Sequence, residues 1–85
     1  MNRDIYELDF TVVTNRLKKL IVDKRLVDKI YDKDLASELL VTPSYYAVAK
    51  RRQKILYEEI LICCFKNNFD IKWVFFGENI NVVKI

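Results

Sequence analysis

Eighty-five residues, 52% of them apolar, make one small domain with enough hydrophobic material for a core and too much for a disordered chain. With no histidine, a single glycine and a formal net charge of +3, the composition removes the usual general base and the commonest zinc ligand, so neither an enzyme nor a cofactor is expected. One glycine and one proline are also too few for the turns of an all-β fold, and helices joined by short polar links are expected instead.

Asp9 is suited to cap a first helix, in which Phe10, Val13, Leu17, Leu20 and Ile21 step by three and four along one face, leaving Asn15, Arg16, Lys18 and Lys19 toward water. Leu26, Val27, Ile30 and Tyr31 either continue that stripe or belong to a separate turn, with continuation favoured. Asp32 reads as the cap of a second helix over Lys33–Leu40, its charge favourable beside the free N–H groups. Thr42 followed by Pro43 opens a third helix running through Tyr45, Tyr46, Val48 and Ala49 to about Arg52. Of the adjacent tyrosines, Tyr46 is expected inward and Tyr45 outward, since neighbours on a helix point about 100° apart.

Ile55 and Leu56 form the next link, and a fourth helix from about Tyr57 to Lys66 is expected to bury Ile60, Leu61, Cys64 and Phe65 before stopping at Asn67-Asn68. Asp70 caps a short fifth helix, Ile71 to Phe76, which ends at Gly77. The tail 80–85 has strand-like composition and is read as an extended arm, a dimer contact or a linker stump, the domain proper being residues 1–79. Asp4, Glu7 and Asp9 make a small acidic patch, read as capping and solubilising rather than metal-binding. The adjacent Cys63 and Cys64 do not suit an unstrained disulfide and are too few to hold zinc, so two packed, reduced thiols are expected. No secretory leader is evident and no apolar run approaches the roughly 20 residues that span a bilayer, giving the expectation of a soluble, cytoplasmic chain with no membrane partner.

The stretch from Asp32 to Arg52 has the layout of a helix-turn-helix. Ala36 supplies the small side chain a steep crossing needs, and Leu35, Leu39, Val41, Tyr46 and Ala49 fall where such a unit is buried. The outward face of the second helix then carries Thr42, Ser44, Tyr45, Ala47 and Val48 as candidates for base edges in the major groove, with Arg51 beside them. Lys50, Arg51, Arg52 and Lys54 follow as candidate phosphate contacts, and no acidic residue lies between Glu38 and Glu58.

Two segments carry a family resemblance: Asp34-Leu35-Ala36-Ser37-Glu38-Leu39-Leu40-Val41-Thr42-Pro43-Ser44 with its basic exit, and the closing Trp73-Val74-Phe75-Phe76-Gly77-Glu78. Together they resemble the helix-turn-helix domain of bacteriophage CI repressors, over roughly residues 12 to 79. The resemblance implies an all-α, five-helix, lambda-repressor-like bundle that binds double-stranded operator DNA as a homodimer and acts as a transcriptional repressor in a bacterial or phage-infected cell. The chain departs from that family at Leu40, where glycine is general, at Ala49, often tryptophan, and at Ala47 and Val48, often polar. A leucine at position 40 costs about 1–2 kcal/mol if φ is positive there, and otherwise the turn is reshaped. Ala47 and Val48 suit thymine methyls while Ser44 and Tyr45 offer hydrogen bonds, and two-fold symmetry would set the recognition helices about 34–36 Å apart.

Trp73, Phe75 and Phe76 read first as core filling and second as candidate dimer contacts. The alternative function is a protein-interaction module that keeps the helix-turn-helix fold without DNA binding, motivated by Leu40, Ala47, Val48 and the aromatic run of the fifth helix.

Overall fold

The computed structural model describes residues 8–77, which hold five helices and no strand: α1 (Phe10–Arg25), α2 (Asp32–Glu38), α3 (Pro43–Arg52), α4 (Tyr57–Asn67) and α5 (Ile71–Phe76). The tail 80–85, Asp4 and Glu7 lie outside the described residues. α1 packs against α5, α2 against α3, and α4 against α5, around one core.

α1 begins as its sequence dictates, with the Asp9 carboxylate accepting from the Val12 N–H at 3.1 Å. It buries Phe10, Val13, Leu17 and Ile21, while the Thr14 hydroxyl donates to the Phe10 carbonyl at 2.8 Å. Two of the three cations expected to face water, Arg16 and Lys18, do more than that. Arg16 is half-buried and donates to the Val74 carbonyl of α5 at 3.3 Å, and Lys18 bridges to Asp32 at 2.6 Å.

The helix does not continue past Arg25. Leu26 takes the left-handed conformation at φ 59° and stands 90% exposed. The stripe explains the break, because the positions that follow Ile21 on the same face are Lys24, Arg25 and Asp28, and Leu26 falls opposite it. Arg25 is tied instead to Glu38 of α2 at 2.5 Å, and Lys24 to Asn67 of α4. Ile30 then re-enters the core from the link.

α2 differs from its expected bounds at both ends, stopping at Glu38 and not at Leu40. Tyr31, not Asp32, holds the cap position, and its N–H is taken by the Asp34 carboxylate at 2.8 Å. Asp32 is the first residue of the helix, and its carboxylate is engaged by two ammonium groups, Lys18 and Lys50. α3 has the predicted bounds, with Thr42 accepting from the Tyr45 N–H at 3.0 Å, and α5 has its own, with Asp70 accepting from Trp73 at 3.2 Å.

α4 spans nearly the predicted residues but presents a different face to the core. Ile60, Cys63 and Cys64 are buried, whereas Leu61 is 42% and Phe65 83% exposed. The helix is apolar on both sides, so periodicity does not choose between them. The side carrying the two small thiols is the one seated in the core.

Four helices end in the same way, and none of them on glycine. Leu26, Leu40, Gln53 and Asn68 all have φ near 60°. After α2 the Val41 N–H reaches back to Ala36 and the Leu40 N–H to Ser37, and the same pair of bonds recurs after α3 (Lys54 to Ala49, Gln53 to Lys50) and α4 (Phe69 to Cys64, Asn68 to Phe65). The single glycine sits where a side chain would be strained and would have to displace Arg16. At Gly77 φ is +81°, and a Cβ would lie 2.9 Å from the Arg16 guanidinium.

Candidate nucleic-acid interface

α3 is set in place by its inner face. Tyr46 is buried with its ring 5.8 Å from that of Phe10 in α1, and Ala49 is buried beside it. Burial raises the Tyr46 phenol above its ordinary pKa, with the nearby Asp32 charge pushing the same way. The tyrosine pair thus divides as its spacing predicts, Tyr46 inward and Tyr45 outward.

The opposite face carries most of the candidate DNA residues together. Thr42, Ser44, Tyr45, Ala47, Arg51 and Arg52 are exposed and Val48 is half-buried. Ser44, Val48 and Arg51 follow one another at steps of four and three along this face, with Tyr45 and Arg52 on one flank. Thr42 is committed as a cap through its oxygen lone pair, yet its hydroxyl proton stays available to an outside acceptor. The helix end adds Lys54, held close by the turn in which its N–H bonds the Ala49 carbonyl at 2.8 Å.

Lys50 differs from its neighbours. It lies on the flank facing α2 and bridges to Asp32 at 2.7 Å, so its charge is already partly matched. Lys18 and Lys50 together hold the Asp32 carboxyl below its usual range, chiefly through the hydrogen bond from Lys18 and then that from Lys50. Arg51, Arg52 and Lys54 make no ion pair among the described residues. Local sequence offered no sign of the Asp32 clamp, because its two lysines are 14 and 18 residues away. An open cleft of about 490 Å³ runs between the start of α2 and α3, lined by Asp32, Lys33, Pro43, Ala47, Lys50 and Arg51.

The turn between the helices keeps the left-handed conformation, with Leu40 at φ 61° and 72% exposed. Its Cβ strain is therefore present, and its side chain gains no burial in return. Of the three aromatic candidates for a dimer contact, Phe75 is buried and stacked 5.9 Å from Tyr57, and Trp73 is half-buried against the core. These two fill the interior, and Phe75 has no surface to offer a partner. Phe76 remains partly exposed.

Elsewhere among the described residues, Cys63 and Cys64 are free and buried in the core. Burial lifts both thiols, Cys64 to about 11, so neither forms appreciable thiolate near neutrality. Among the described residues no group of three or more acidic or thiol side chains is placed to hold a metal, and no helix is long and apolar enough to cross a membrane. Comparisons with protein-family models, with curated proteins and with solved structures give no match to this chain.

Proposed function

We propose that this chain is a sequence-specific DNA-binding transcriptional regulator of the phage-repressor kind, its helices a lambda-repressor-like bundle with α2 and α3 as the helix-turn-helix, acting as a homodimer. α3 enters the major groove by its N-terminal half, with Ser44, Tyr45, Ala47 and Val48 toward base edges and Thr42 at the rim. Arg51, Arg52 and Lys54 hold phosphates at its exit, and repression follows from occupying the promoter. The observation that carries the reading is the exposed outer face of α3, which ends in three cations without acidic partners among the described residues. Lys50 contributes less, because a phosphate must compete for it with Asp32.

The test is fluorescence anisotropy on random-sequence duplex DNA at low and moderate salt. Steep loss of binding with salt is expected, and Arg51→Ala with Arg52→Ala makes the log–log slope shallower by about 2 units. Lys50→Ala changes it less. A folded protein that fails to bind at low salt overturns the reading. It then favours an interaction module, a reading supported by the exposed, strained Leu40 beside α3.

A further inference from the structure

The outer face of α4 is apolar and points away from the core: Leu61 and Ile62 are 42% and 48% exposed, and Phe65 is 83% exposed. A phenylalanine standing this far into water on a regular helix, beside two further large apolar side chains, marks a surface that another molecule covers. Tyr57, one turn before Leu61, extends the strip, and it is exposed too.

The charges around this strip identify the occupant. Glu58 lies in the first turn of α4 and Lys66 in the last, four residues to either side of Ile62, and neither makes an ion pair among the described residues. Positions 58, 62 and 66 share one face with Leu61 and Phe65 between them. Turned end for end, the pattern matches itself, with acid meeting base at both ends and apolar side chains meeting in the middle. Antiparallel helices also set opposite dipole ends side by side. A surface complementary to its own two-fold image is the signature of an isologous dimer.

We propose that the outer face of α4 is the homodimer interface of this protein, formed when α4 packs antiparallel on α4 of a second copy. Ile62 lies near the two-fold axis, Leu61 and Phe65 interdigitate across it, and Glu58 of each copy pairs with Lys66 of the partner subunit. The proposal rests on the dimeric regulator described above and moves its interface from α5, where Phe75 is buried, to α4. A patch of this size is smaller than the roughly 800 Å² per partner of a standard interface, so a weak dimer is expected, consolidated when two recognition helices share one DNA duplex.

Sedimentation velocity on the whole chain without DNA tests it, over a concentration series reaching about 1 mM, with circular dichroism to check folding. The wild type is expected to dimerise within that range, and Phe65→Glu to weaken the dimer about thirtyfold or more, as loss of a central anchor does. Because Phe65 is exposed, this variant keeps its helix content. Glu58→Lys and Lys66→Glu each weaken the dimer several-fold, and the two together restore it, since every pair is then reversed rather than broken. A wild type that stays monomeric throughout, a Phe65→Glu variant as dimeric as the wild type, or a double reversal no better than either single change overturns the proposal. Anisotropy on random duplex separates this failure from failure of the DNA reading, because monomeric Phe65→Glu still carries Arg51, Arg52 and Lys54. Salt-sensitive binding by that variant leaves the DNA reading standing whatever the sedimentation shows.

Discussion

α3 and α4 are 10 and 11 residues long and lie next to each other in the chain, yet they turn opposite chemistry outward. α3 buries two residues, Tyr46 and Ala49, and exposes polar groups and cations; α4 buries Ile60, Cys63 and Cys64 and exposes Leu61, Ile62 and Phe65. Their starts differ in the same sense. α3 opens on a Thr-Pro pair with a side-chain cap, whereas α4 opens on Leu56, which offers no side-chain cap and is itself buried. α3 is thus specified locally, by its Thr-Pro start and by the cations gathered at its end. α4 is specified by what packs around it, and an apolar side is left over.

The largest effect that sharpens this contrast lies within α4. Ile60→Ala, on the buried side, is expected to cost about 2–5 kcal/mol, while Phe65→Ala on the outer side stays within about 0.5 kcal/mol in the monomer. Urea unfolding at low protein concentration measures both, and equal or reversed costs would overturn the assignment of the buried and outer sides of α4. In α3 the corresponding lever is its start: Thr42→Ala loses the bond to the Tyr45 N–H and is expected to destabilise by about 1 kcal/mol. The loss appears as a lower denaturant midpoint with an unchanged slope.

Relief of the turn before α3 has the opposite sign. Leu40→Gly removes a left-handed leucine whose strain is about 1–2 kcal/mol, but glycine returns about 0.5–1 kcal/mol of that as freedom in the unfolded chain. A net gain between zero and about 1.5 kcal/mol is therefore expected, seen as a small rise in thermal midpoint.

The smallest effect is the clamp between α1, α2 and α3. Asp32 has its folded pKa lowered by Lys18 and Lys50, so its contribution is complete above the unfolded carboxylate value of about 3.9 and is lost as pH falls through the folded value. Asp32→Asn is expected to lower stability slightly at neutral pH and to flatten the acid limb of a thermal-midpoint profile, the pair being partly exposed. The same variant releases Lys50, so low-salt binding to random DNA rises if α3 contacts phosphate as proposed.

Much of the fold was legible because this chain marks its helix starts with side chains that act locally. Asp9, Thr42 and Asp70 each accept a backbone N–H three residues on, and all three starts agree with the sequence reading. Asp32 had the same appearance and a different role, since two ammonium groups compete for its carboxylate more strongly than a backbone N–H does. α1 does not continue, because apolar content alone does not extend a helix: Leu26 is hydrophobic but lies off the face that Ile21 occupies. The candidate interface on α3 needed only the helix start and the 3.6-residue period, and its residues lie together as that period requires.

By itself, then, the sequence determined that the chain is helical, where α3 and α5 begin and end, and which side of α3 faces out, because caps, proline and the 3.6-residue period act within a few residues. Tertiary structure alone decided which side of α4 is buried and that Lys50 is drawn from its neighbours toward Asp32. Those outcomes depend on partners many residues away: in a helix with large apolar side chains on two faces, or for a carboxylate between two lysines, local preference is nearly balanced and packing makes the choice.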